Sequence, residues 1–166
     1  NISINVSRAD IYNVNLVDTL LELVNRYGLT PKRLHLEITE SVYTENPDEL
    51  IQTVTKLREK GFVIEMDDFG SGYSSLSSLN VMHFDTIKLD KSLIDYIGDR
   101  NGEKLLLHIT QLLQSFGMTI TAEGVETSDK VEFLKNLHCD DIQGYYFSKQ
   151  LPVNEFADFV RKHTGL

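Results

Sequence analysis

The chain has 166 residues, 41% hydrophobic and 25% charged, a composition that supports one globular domain with a substantial core. No apolar run approaches the roughly 18–20 residues that cross a bilayer, so no membrane contact is expected within this segment. A formal net charge of −9 argues against a general binder of polymeric nucleic acid, because no basic stripe is present to displace counterions from phosphates.

The opening residues, Asn1-Ile2-Ser3-Ile4-Asn5-Val6, alternate as a strand does and carry neither an initiator Met nor a secretory signal. They are expected to lie inside a longer protein. From there the chain alternates strand-like and helical runs about six times. Strands are expected at Ser3–Val6, Arg33–Ile38, Phe62–Met66, Thr86–Leu89, Thr119–Ala122 and Asp141–Gln143, each short and bounded by turn or polar residues, as buried parallel strands are. Leu16, Val17, Leu20, Leu21, Val24 and Tyr27 mark one face of the first helix, with Gly28 placed to stop it. Asn46-Pro47-Asp48-Glu49 reads as a capped helix start, followed by a buried stripe of Leu50, Ile51, Val54 and Leu57 and by Gly61. Later helices are expected through Leu105–Phe116, Lys130–Leu137 and Val153–Val160. Alternation of this kind predicts an α/β fold with a parallel sheet, and it suits an open doubly wound sheet or a closed barrel equally. The lone Cys139 has no partner for a disulfide and reads as a small buried hydrophobe, which fits a cytoplasmic location.

The residues that end the strands carry the chemistry: in order, Asn5, Glu37, the pair Asp67-Asp68, Lys88, Glu123 and Gln143. In a barrel these ends converge on one mouth, where active sites are built. Four converging carboxylates repel one another, and hard divalent cations that prefer oxygen ligands relieve the repulsion. Taken singly, each residue has a plainer reading: a solvated Glu, a turn before Phe69-Gly70-Ser71-Gly72, a Lys88–Asp90 pair, a strand exit at Gln143-Gly144. Tyr145-Tyr146-Phe147 reads as packing, and the five histidines show no metal-ligand spacing. The repetition of suitable types at successive strand ends weighs against the plain readings taken together.

Six segments then resemble, in order, the motifs of the EAL family: Asn5-Val6-Ser7, Leu36-Glu37-Ile38-Thr39-Glu40-Ser41, Asp67 through Ser75, Ile87-Lys88-Leu89-Asp90, Ala122-Glu123-Gly124-Val125-Glu126-Thr127 and Gln143-Gly144-Tyr145-Tyr146-Phe147. The resemblance covers essentially all of residues 1–166 and implies a TIM-like (β/α)8 barrel, here incomplete with about six β/α units. It implies hydrolysis of cyclic di-GMP to pGpG with Mg²⁺ or Mn²⁺ in a two-metal site. Asn5, Glu37 and Asp67 would hold the first metal, with Asp67 bridging and Asp68 and Glu123 completing the second. Lys88 would contact the attacking water or the phosphate, Gln143 would hold that network, and Glu123 would act as general base. Glu40 matches the position that anchors the loop Phe69–Ser75, and Glu126 a position associated with nucleotide binding.

The chain also departs from the family pattern. The Glu-Ala-Leu segment would precede Asn1, and with it a metal-ligand Glu, a nucleotide-contacting Arg and about two strands. Gln150 stands where Pro is usual, His138 where Gly is common, and Phe84 where Pro is frequent. An open set of six strands exposes two edges, so the isolated fragment is expected to be impaired and to seek a partner for them, a homodimer being one arrangement. Attached sensor or regulatory domains are expected in the parent protein, which could carry a membrane anchor outside this segment. Two other functions compete with the phosphodiesterase: a catalytically inactive cyclic di-GMP receptor, and an aldolase-like barrel using Lys88 as a Schiff-base amine.

Overall fold

The computed structural model describes residues 1–39, 42, 47–71, 79 and 81–164. Six strands, β1 (Ile2–Asn5), β2 (Leu34–Thr39), β3 (Val63–Phe69), β4 (Thr86–Leu89), β5 (Thr119–Ala122) and β6 (Asp141–Ile142), form one sheet in chain order. Every pairing is parallel. Each strand is therefore followed by a crossover, and the helices are α1 (Arg8–Ile11), α2 (Leu16–Arg26), α3 (Pro47–Glu59), α4 (Lys91–Ile94), α5 (Arg100–Ser115), α6 (Ser128–Asn136) and α7 (Val153–Thr164). All six expected strands form, within a residue or two at most ends, although β3 runs on to Phe69. The expected cap at Asn46 lies outside the described residues. Among the described residues, no helix is long and apolar enough to cross a membrane.

The two faces of the sheet differ in kind. Leu36, Ile38, Ile64, Met66, Ile87, Leu89, Ile120 and Ala122 are buried in one core with Leu20 and Val24 of α2, Leu50 and Leu57 of α3, Leu106 and Leu113 of α5, and Leu134 of α6. Each such side chain withdrawn from water contributes roughly 1.5–3 kcal/mol, so this outer layer holds the helices to the sheet. The alternate residues look inward and, Val63 apart, are largely polar. Register aligns Ser3 with His35, Asn5 with Glu37 and Glu65, Glu65 with Thr86, and Lys88 with Thr121. They line an open hollow of about 800 Å³ that includes Ser3, His35, Glu65, Thr86, Lys88 and Thr121. The strands are thus amphipathic, apolar toward the helices and largely polar toward the hollow, with β4 buried along its whole length. Among the described residues β1 and β6 each pair on one side only.

Two helix ends show how the chain turns back into the sheet. Gly28 closes α2 at φ +64°, with Leu29 N–H donating to the Val24 carbonyl at 2.8 Å. The same turn ends α6, but there His138 holds the left-handed position at φ +57°, and Cys139 N–H donates to the Leu134 carbonyl at 3.1 Å. The preference for Gly at this position follows from that geometry, since a Cβ is strained there. Phe84, the second departure, is buried in the core, and Gln150, the third, is exposed. Replacing His138 with Gly should raise stability by about 1 kcal/mol, the relieved strain exceeding the added freedom of the unfolded chain. Urea unfolding of the two proteins measures it as a higher midpoint at unchanged slope.

Candidate active site

Lys88 sits near the end of β4, in the middle of the sheet, with a side chain only 7% exposed. Its ammonium lies 2.7 Å from Glu37 Oε1, 3.0 Å from Asp67 Oδ1 and 2.7 Å from Glu123 Oε1. These carboxylates come from β2, from β3 and from the residue just past β5, so the curl of the sheet gathers four chain segments on one point. Burial alone would lower the Lys88 pKa, but hydrogen bonds to Glu123 and Glu37 and the nearby charges outweigh it and hold the group above the ordinary lysine range. A firmly protonated amine cannot attack a carbonyl, so the geometry opposes the Schiff-base reading.

Asp68 reaches the same place through a backbone irregularity. Consecutive strand residues ordinarily point to opposite faces. Here the β3–β4 register shifts between Met66 and Phe69, and Asp68 takes φ +59°. This bulge turns the Asp68 carboxylate back toward the mouth. Asp67, Asp68 and Glu123 each then offer one carboxylate oxygen within 4.8 Å of the others. Burial raises the pKa of Asp68, reinforced by the negative charges of Asp67 and Asp90. Burial also raises that of Glu123, with Lys88 pulling the other way.

The donor set suits a hard divalent cation: three carboxylates held by β3 and the turn after β5, of which Asp67 Oδ1 is buried with the Lys88 ammonium 3.0 Å away but poorly aligned for a hydrogen bond. Glu37 joins this group through Lys88. Asn5 lies on the exposed edge strand, level with Glu37 in register. Gln143 is exposed just beyond β6, where its backbone N–H donates to the Ala122 carbonyl at 2.8 Å and its carbonyl accepts from Val125 N–H at 3.1 Å. Gly144 fits this join closely, since a Cβ there would come within 2.1 Å of the Val125 carbonyl oxygen. Glu126 stands at the lip of a second cavity of about 520 Å³, which it shares with Glu123 and Gln143. Glu40 and residues 72–75 of the loop it would anchor lie outside the described residues.

One polar pair escaped the motif reading. His35 Nδ1 and Glu65 Oε1 lie 2.7 Å apart inside the hollow, below the carboxylates. The period-two alternation of β2 and β3 places them on the same face as Glu37 and Asp67 and could have disclosed them. Cys139 fits its plain reading: it is half-buried, with Sγ 3.3 Å from the Ile120 carbonyl, and burial together with Asp140 pushes its thiol up to about 12.

The sequence signature described as "EAL domain" matches residues 1–150. The chain belongs to the EAL domain family. Among its relatives, the cyclic di-GMP phosphodiesterase NbdA of Pseudomonas aeruginosa is 34% identical over 98% of this chain and 21% of its own length. The crystal structure of the EAL domain of Mycobacterium smegmatis DcpA superposes with a TM-score of 0.90 at 31% identity, covering 96% of this chain and 72% of that one. Klebsiella pneumoniae BlrP1, solved as a manganese and cyclic di-GMP complex, superposes with a TM-score of 0.83 at 30% identity, covering 89% of this chain and 38% of that one. The six strands are thus a curled portion of the TIM-like barrel of EAL domains. The chain spans about a fifth of the length of the curated relatives it matches.

Removing the cation at the centre of the acidic ring tests its electrostatic role. Lys88→Met leaves three partly buried carboxylates without their ammonium, and losing one side of such an arrangement costs about 3–5 kcal/mol. In chelator, thermal unfolding near neutral pH should show a clearly lower midpoint than wild type. The gap should narrow as the pH falls, because the crowded native carboxylates of the variant take up protons before those of the unfolded chain do.

Proposed function

We propose that the full-length protein hydrolyses cyclic di-GMP to pGpG, using Mg²⁺ or Mn²⁺ at the mouth built by Glu37, Asp67, Asp68, Lys88 and Glu123. The observation that carries the reading is the convergence of Glu37, Asp67 and Glu123 on Lys88, with Asp68 brought round by the β3 bulge. The activity named for NbdA and the ligands named for the BlrP1 complex support the substrate and metal class.

In this reading Asn5, Glu37 and Asp67 would hold one cation, and Asp67, Asp68 and Glu123 would hold the second. When bound, such ions offset the charge of a phosphodiester and acidify water. Glu123, at the edge of the carboxylate cluster, would accept the proton of the attacking water. Lys88, held as a cation, stabilises charge on the phosphoryl oxygens and orients the water. Gln143 steadies that water, Glu126 contacts the nucleotide, and Glu40 anchors the loop after Asp68.

The reading includes sensor or regulatory domains in the full-length protein, consistent with the length of its relatives, a cytoplasmic site of action, and a homodimer as one means of covering the β1 and β6 edges. The 166-residue chain alone, with its hollow open, should turn over less than the full-length protein.

Turnover of cyclic di-GMP by the full-length protein, with Mg²⁺ or Mn²⁺ and with chelator, tests the proposal. Metal-dependent pGpG release that Glu123→Gln lowers about 100-fold or more in kcat is the expected result. Near-normal turnover in that variant would remove Glu123 as the base. Tight binding without turnover in wild type would instead make the protein a receptor.

A further inference from the structure

Lys91 opens α4, three residues past Lys88, and has no part in the roles assigned above. Two separate contacts join it to the turn after β5. Its aliphatic stem lies across Gly124, which holds φ +66°: a Cβ there would come within 2.6 Å of Lys91 Cβ, 2.7 Å of Cγ and 2.9 Å of Cδ. The ammonium then reaches Glu126 Oε1 at 3.1 Å and Asp95 Oδ1 at 3.5 Å. Asp95 is held in turn by Lys130 at 2.5 Å, so the chain of charges is pinned to α6 at its far end. Lys91, Glu123, Gly124, Glu126 and Gln143 all line the 520 Å³ cavity beside the carboxylate cluster.

We infer that Lys91 is a positioning residue for nucleotide recognition: it holds Glu126 by one carboxylate oxygen so that the other can accept an N–H donor from the edge of a nucleobase. The inference rests on the cyclic dinucleotide reading above. A hydrogen bond to Glu126 raises the Lys91 pKa above its ordinary value. Lys91 and Glu126 are 44% and 50% exposed, and an exposed ion pair adds little to folding. Its value lies in pre-setting the carboxylate before the ligand arrives, which saves the ordering cost at binding.

The test is steady-state kinetics on cyclic di-GMP in the full-length protein, comparing wild type with Lys91→Met, Lys91→Arg, Glu126→Ala and the Lys91→Met/Glu126→Ala double variant. Methionine keeps a stem over Gly124 and removes the charge. KM should rise about three- to tenfold in Lys91→Met, with kcat within about twofold, and Lys91→Arg should recover most of the loss. In the Glu126→Ala background, Lys91→Met should add nothing further. If wild type binds without turnover, the same comparisons are read in Kd. An unchanged KM in Lys91→Met, a loss confined to kcat, or an equal loss in the Glu126→Ala background overturns this inference and leaves the functional reading intact. A wild type that neither binds nor cleaves cyclic di-GMP overturns both.

Discussion

A protonated lysine among three carboxylates, largely withdrawn from water, is the contact on which the mouth of this sheet depends. Glu37, Asp67 and Glu123 each approach the Lys88 ammonium within hydrogen-bonding distance. Without a cation in their midst they would repel one another. With it they stay gathered, at the cost of desolvating Lys88. The excess of acid over base at this point suits the site to a further cation, through which a chain of net charge −9 would meet the phosphate-bearing ligand proposed for it.

Such a cluster needs a frame that does not yield to the repulsion. Parallel strands, each followed by a helix, supply it. Their outward residues are the aliphatic side chains that pack beneath α2, α3, α5 and α6, while their inward residues are mostly polar. A strand whose inner face is His35-Glu37 or Glu65-Asp67 is held by its outer face, so the apolar layer carries the stability that the charged layer costs. The His35–Glu65 pair extends the same logic deeper into the hollow, where each group finds a partner at 2.7 Å.

The loops after the strands are tied to each other as well as to the sheet. The turn at Gly124 and Val125 receives the Gln143-Gly144 backbone on one side and the Lys91 stem on the other. Both glycines are there because another chain segment occupies the space of a side chain. Glu123 and Glu126 bracket that turn, so the proposed base and the proposed nucleotide contact share one rigid support.

Strand order, helix faces and the identity of the strand-end residues were legible in the sequence, because period, turn residues and chain-ordered motifs are local properties. Glu37, Asp67, Lys88 and Glu123 could be picked out that way, and they do meet. Other features were decided by tertiary structure. Asp68 belongs to the cluster only because the strand bulges at a left-handed residue, whereas strict alternation would have turned it away. His138 accepts a strained backbone because the turn that ends α6 demands it. Asn5 sits level with Glu37 in register yet remains on an exposed edge, since a ligand's position depends on what closes around it. Residue types and spacing set which groups can do the chemistry; the curl of the sheet, a bulge and close approach at two glycines set which of them share one place, because those distances arise between segments far apart along the chain.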